Sequence, residues 1–118
     1  KEYLEEKLRS NEKNSKKGHI YVARLREHEN SNEQIYKIGM TQQGVNKQNG
    51  KMKRLSGYPK GTKVYELLEV DNCRCVEDDI IRKLKELTTQ RTDLGHEYFE
   101  GELYKVLFVT RIICGYDT

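Results

Sequence analysis

Gly18-His19-Ile20-Tyr21, answered by Tyr36-Lys37-Ile38-Gly39, is the pair of short runs around which the 118-residue chain organises itself. Both are rich in β-branched and aromatic residues, and a polar stretch separates them, so they read as two strands meeting antiparallel. The first runs from His19 to Leu25. A two-residue period puts Ile20, Val22 and Arg24 on one face and His19, Tyr21, Ala23 and Leu25 on the other. The second runs from about Gln34 to Met40. Arg26 to Glu33 (R-E-H-E-N-S-N-E) holds almost nothing to bury and reads as a solvated connection rather than an element.

Beyond Thr41, a segment with two glycines reads as a loop entering a helix near Asn46 or Gly50. Met52 and Leu55 give that helix a small apolar face, and Arg54 sits at its edge. Gly57-Tyr58-Pro59-Lys60-Gly61 ends it, since proline disfavours helical geometry in the residue before it. Lys63 to Val70 supplies a third strand. The helix from about Cys75 to Thr88 is the clearest periodic element. At 100° per residue Val76, Leu87, Ile80, Leu84 and Ile81 share one arc of about 140°, and Glu77 projects inside it, where a carboxylate is costly without a partner. Asp71 or Asn72 is the expected cap. Thr89 to Gly95 reads as a polar connection and Glu97 to Glu100 as a short extended piece. Leu103 to Cys114 reads as a buried helix, although Val106 to Val109 alone fits a strand. Residues 1–9 suit a short helix carrying Tyr3, Leu4 and Leu8, and Ser10 to Lys17 a flexible connector. The expectation is an arm over residues 1–17 and an α/β (α+β) domain over 18–118, with a three-stranded antiparallel sheet flanked by helices.

Hydrophobic and charged residues each make up 35% of the chain, so its single core is economical and the protein reads as soluble. No apolar run approaches the ~20 residues of a membrane span. The net charge of +3 is mild, but its placement is not: Lys47, Lys51, Lys53, Arg54, Lys60 and Lys63 lie in a stretch with no acidic residue, a pattern able to neutralise phosphates. An ordinary solvated surface would also account for it. Cys73, Cys75 and Cys114 lack zinc-ligand spacing and read as reduced packing residues of an intracellular protein.

The motif G-H-I-Y followed by Y-K-I-G-M-T resembles the paired motifs of the GIY-YIG nuclease superfamily, especially its viral and phage-type branch. Arg54 in K-M-K-R-L-S-G-Y-P resembles that family's helix arginine, and Glu77 in C-V-E-D-D-I-I-R-K-L its metal-binding glutamate. The resemblance covers roughly Gly18 to Gly101. It implies a metal-dependent DNA endonuclease with a catalytic set of Tyr21, Lys37, Tyr36, Arg54 and Glu77. Glu77 would hold Mg²⁺ or Mn²⁺, Tyr21 would help activate water, and Arg54 would grip phosphate. Read from the residues alone, the alternatives are a buried ion pair of Glu77 with Arg54 or Lys37, and a core tyrosine with a satisfied hydroxyl at Tyr21. One departure stands out: Lys37 occupies the place of the usual second tyrosine, with Tyr36 before it. Strand alternation gives Tyr36 to packing with Ile38 and Met40, and Lys37 to the open face beside Gly39.

Lys51, Lys53, Arg54, Lys60 and Lys63 are the expected DNA-binding residues, and the implied partner is double-stranded or branched DNA. The viral resemblance further implies the cytoplasm or nucleus of a host cell, with target choice coming from another domain of a longer chain. The alternatives are a nucleic-acid-binding module with a degenerate nuclease site, or a protein-interaction domain.

Overall fold

Strand β1 (Gly18–Arg24) pairs antiparallel with β2 (Ile35–Thr41), in a register that sets Tyr21 opposite Gly39 and Ala23 opposite Lys37. The computed structural model describes residues 16–116; the helical arm expected over residues 1–9 lies outside the described residues. β3 (Lys63–Val70) lines the other side of β1, also antiparallel, with a register shift between Val22 and Ala23. The expected three strands are therefore present, but the sheet has five. β4 (Thr89–Gln90) and β5 (Tyr98–Glu100) extend it beyond β2 in the order β3-β1-β2-β5-β4. Strands of two and three residues are too short to show an alternating pattern, so the polar run from Thr89 to Gly95 concealed a strand that forms by pairing alone.

The connection from Arg26 to Glu33 also differs from expectation, for it contains helix α1 (Arg26–Asn30), whose His28 is buried. Buried Leu25 accepts from the amides of His28 and Glu29 and so starts the turn. His28 then finds an apolar surface on the Tyr98 ring, 6.4 Å away edge-on. A histidine can bury its ring while its neighbours stay wet, which a composition argument misses.

The expected helix from Asn46 or Gly50 is likewise absent. Val45 bridges Met52, and the side chains of Asn46 and Asn49 accept from the amides of Gln48 and Lys51. These asparagines satisfy the backbone locally and so compete with helix formation. Only a 3₁₀ helix, Lys53–Gly57, follows, and it carries Arg54.

Helix α2 (Cys73–Leu87) buries Cys73, Glu77, Ile80, Ile81 and Leu84, the stripe its periodicity implies. It begins two residues earlier than expected, with Asn72 at the cap position making no side-chain capping bond. Helix α3 (Leu103–Ile113) is helical throughout and packs on α2. Ile20 and Val22 of β1, Tyr36 and Ile38 of β2, Phe99 of β5, Ile80 and Leu84 of α2 and Val106 of α3 form the main core on this face of the sheet. Each fully buried aliphatic or aromatic side chain of that size contributes roughly 1.5–3 kcal/mol. Tyr21, Ala23 and Met52 form a smaller cluster on the opposite face, beneath the 3₁₀ helix. Among the described residues no helix is long and apolar enough to cross a membrane.

Candidate functional site

The site begins with a missing Cβ. Gly39 faces Tyr21 across the strand pair, and a Cβ built there would lie 2.2 Å from Cζ and 2.3 Å from Oη of that tyrosine. No side chain fits, so the tyrosine of the first motif occupies the space that the glycine of the second leaves open. Tyr21 is 1% exposed, and its hydroxyl meets that of Tyr58 at 2.5 Å, with the two rings edge-on. Lys37, two residues before Gly39 on the same face of β2, donates from Nζ to Tyr58 Oη at 2.8 Å. The side expected to be open is thus roofed by the two tyrosines. The same ammonium lies 4.8 Å from the Tyr58 ring centre, 5.7 Å from that of Tyr98, and 3.8 Å from Glu97 Oε2.

Charges around these phenols push them apart. Burial and the Tyr58 hydroxyl hold Tyr21 well above the ordinary tyrosine value, against the pull of Arg54. Burial acts upward on Tyr58 too, but hydrogen bonds from Lys37 and Tyr21, the Lys37 charge and Arg54 together bring it below its ordinary value. Lys37 is correspondingly raised, because Tyr58, Tyr98 and Glu97 outweigh its desolvation. Tyr58 is therefore the more acidic phenol of the pair, and Tyr21 the one that keeps its proton. Arg54, Lys37 and Tyr58 line one cleft of about 330 Å³ together with Gln43, Ser56 and Gly57.

Glu77 stands on the buried stripe of α2 at 9% exposure, and among the described residues no ion pair reaches its carboxylate. Burial first, then Glu97 and Asp78, push its carboxyl from 4.5 to about 7, against Lys37 and Arg74. The expected alternative, a buried ion pair with Arg54 or Lys37, does not form: Lys37 pairs with Glu97 instead. A desolvated carboxylate without an ion pair fits a divalent cation, whose charge would remove the penalty. Among the described residues no three metal-ligating side chains cluster. The donor set is a single oxygen ligand, which suits Mg²⁺ or Mn²⁺ retaining most of their water shell.

Of the residues singled out from sequence, Tyr21, Lys37 and Arg54 converge on Tyr58, and Glu77 feels the charges of Lys37 and Glu97. Tyr36 does not join them. It is 4% exposed in the main core on the opposite face of the sheet, edge-on to Tyr65, the packing position that strand alternation gives it. Lys51, Lys53 and Lys60 are exposed around the 3₁₀ helix. Lys63 is exposed as well, and its ammonium is engaged by Glu29 of α1 in an ion pair. Sequence reasoning passes over Tyr58 and assigns Glu97 no role, since no motif names it. The only hint of Tyr58 is a bulky aromatic inside an acid-free basic segment, and its link to Tyr21 spans 37 residues, which no local pattern reveals.

The T5orf172 domain family matches residues 18–114, nearly the whole described region. The chain belongs to the T5orf172 domain family. This is a phage-associated domain of the nuclease-related group, and its match starts at the glycine that opens β1 and ends just after α3. No curated protein and no solved structure matches the chain. The T5orf172 assignment is consistent with nucleic-acid binding. Within this T5orf172 domain the paired motifs form β1 and β2, and the arginine and glutamate lie on two further elements beside them.

Proposed function

We propose that this T5orf172 domain is a metal-dependent endonuclease that hydrolyses phosphodiester bonds in DNA, with a site of the GIY-YIG kind. The observation that carries the proposal is the convergence of Tyr21, Lys37 and Arg54 on the lowered phenol of Tyr58, in a basic cleft with the desolvated Glu77 carboxylate in electrostatic reach. Arg54 stays charged at any working pH and binds a phosphate oxygen, bidentate where the fork can align. In its phenolate form Tyr58 accepts the proton of the attacking water at Oη and becomes the neutral phenol, and Lys37 stabilises the phenolate from which that exchange starts. Tyr21 keeps its proton and orients Tyr58 through the hydroxyl pair, a role distinct from activating the water itself. Glu77 would hold Mg²⁺ or Mn²⁺, which when bound neutralises charge developing on the phosphate. The exposed Lys51, Lys53 and Lys60 would track the DNA backbone.

The test is cleavage of linear duplex, branched and single-stranded DNA in Mn²⁺ or Mg²⁺ by the parent, Glu77→Gln and Arg54→Ala. Glu77→Gln should bind DNA as the parent does and cut at least about 100-fold more slowly. A Glu77→Gln protein that cuts as well as the parent overturns the assignment. A parent that binds DNA but never cuts it leaves a binding module in place of an enzyme.

A further inference from the structure

β5, one of the two strands added to the expected sheet, meets Lys37, the lysine that departs from the expected motif. Lys37, standing where a tyrosine was expected, is the strand partner of Tyr98 in β5. The residue before Tyr98, Glu97, accepts the Ile38 amide at its backbone carbonyl (2.9 Å) and sets its carboxylate 3.8 Å from Lys37 Nζ. Tyr98 offers its ring face to the same ammonium at 5.7 Å and is itself braced by His28 of α1. Lys37 has several rotatable bonds and would sweep a wide arc unless held. Its side chain is only 15% exposed, enclosed between Tyr58 on one side and Glu97 with Tyr98 on the other.

We infer that Glu97 is a positioning residue: from the turn just before β5 it holds the Lys37 ammonium against the Tyr58 hydroxyl, with Tyr98 as the apolar wall of the clamp. This goes beyond the nuclease reading but rests on it for its catalytic consequence. A carboxylate placed beside an ammonium could act in either of two ways. As a competitor it would draw Lys37 away from Tyr58; as an anchor it would fix the lysine where the phenol can use it. The geometry favours the anchor, because Lys37 makes its short contact, 2.8 Å, to Tyr58 and the longer one, 3.8 Å, to Glu97. The backbone bond from Ile38 to Glu97 also fixes the anchor to the strand that carries the lysine.

The first measurement uses the full chain without metal or DNA, so it is independent of whether the protein is a nuclease. Ultraviolet titration of the phenols follows the Tyr58 ionisation, identified as the one that Tyr58→Phe removes. The groups facing that phenol are Tyr21, Lys37 and Arg54. In Glu97→Gln the anchor is removed, Lys37 drifts, and the Tyr58 ionisation should move to higher pH. Glu97→Asp, which keeps the charge on a shorter arm, should restore part of the shift. An unchanged or downward-moving Tyr58 ionisation overturns the inference, since the direct loss of a nearby negative charge acts downward. The second measurement is turnover on cleavable DNA: kcat should fall roughly 10- to 100-fold in Glu97→Gln, with KM altered less than about twofold. Loss confined to KM also overturns it, because a clamp on Lys37 acts on the reacting geometry rather than on grip. If the parent cuts no DNA, the nuclease reading fails while the titration still decides the clamp.

Discussion

Replacing Gly39 by alanine tests the close approach on which the site is built. The added methyl would lie 2.2 Å from Cζ and 2.8 Å from Cε1 of Tyr21, well inside the separation at which carbon atoms begin to repel. Tyr21 has little freedom to yield: it is 1% exposed, paired with Gly39 on one side and Leu67 on the other, and hydrogen-bonded at its tip to Tyr58. The strands cannot separate either, because β1 is the middle of three paired strands. Overpacking of a site that can adjust costs about 1–3 kcal/mol, and the rigidity here puts Gly39→Ala at the upper end, about 3 kcal/mol. Urea unfolding of four proteins gives the answer: parent, Gly39→Ala, Tyr21→Ala and the double variant. With the ring removed the methyl has room, so Gly39→Ala in the Tyr21→Ala background should cost less than about 0.5 kcal/mol, a coupling of more than 2 kcal/mol. Equal costs in both backgrounds would refute the close approach and with it the physical link between the two motifs.

Three further outcomes rest on the same geometry. Tyr36→Ala should cost roughly 2 to 4 kcal/mol in thermal or urea unfolding, as a large-to-small change in the core, whereas Lys37→Ala should leave the melting temperature nearly unchanged and impair cleavage. Replacing Lys51, Lys53 and Lys60 together by serine should flatten the log-log salt dependence of duplex binding by about 0.9 for each phosphate no longer neutralised, while Lys63→Ser, whose ammonium is engaged by Glu29, should change the slope less; binding isotherms at several salt concentrations read both. In chelator the raised Glu77 carboxyl makes folding favour the protonated form. The parent should therefore lose stability as pH rises from 4.5 through about 7, by on the order of 2 kcal/mol, and Glu77→Gln should remove that loss; denaturation at pH 5 and pH 8 with and without Mn²⁺ measures it.

What could be read from the sequence was what repeats or alternates. Ile20 and Val22 against Tyr21 and Ala23 have a two-residue period over enough residues to place β1 and its two faces, and α2 shows its buried stripe over several turns, including the anomaly at Glu77. The failures are of two physical kinds. Some elements owe their form to partners distant in sequence. β5 is a strand because β2 offers an unpaired edge and Phe99 fills the core, and α1 buries His28 because Tyr98 is there. Others turn on side chains competing for the backbone, as Asn46 and Asn49 do where a helix was expected. The site divides the same way. Tyr21, Lys37, Arg54 and Glu77 are visible because a motif names them, whereas Tyr58 and Glu97 enter only through contacts across the fold.

Those contacts also bear on why a lysine can stand where a tyrosine was expected. A phenol at that position of β2 would point to the same face as Gly39, into space now occupied by Lys37, Tyr58 and Tyr98. Here Tyr58, at the end of the 3₁₀ helix, brings a phenol to the same point, where it pairs with the Tyr21 hydroxyl while the strand supplies a cation. A cation beside one phenol of a hydrogen-bonded pair breaks the symmetry between them: it favours ionisation of the phenol it touches and leaves the other as donor. Two tyrosines in identical surroundings would share their proton without preference, and neither would be a dedicated base. With Lys37 on Tyr58 alone, and burial acting most strongly on Tyr21, the pair acquires an acid end and a base end. Lys37→Met, similar in length and uncharged, isolates that effect. The lowered Tyr58 phenol should return toward its ordinary value while the fold and the hydroxyl pair remain, and cleavage should fall together with the phenolate fraction. Cleavage that stays at the parent level after Tyr58 has lost its acidity would show that the polarity of the pair does no chemical work.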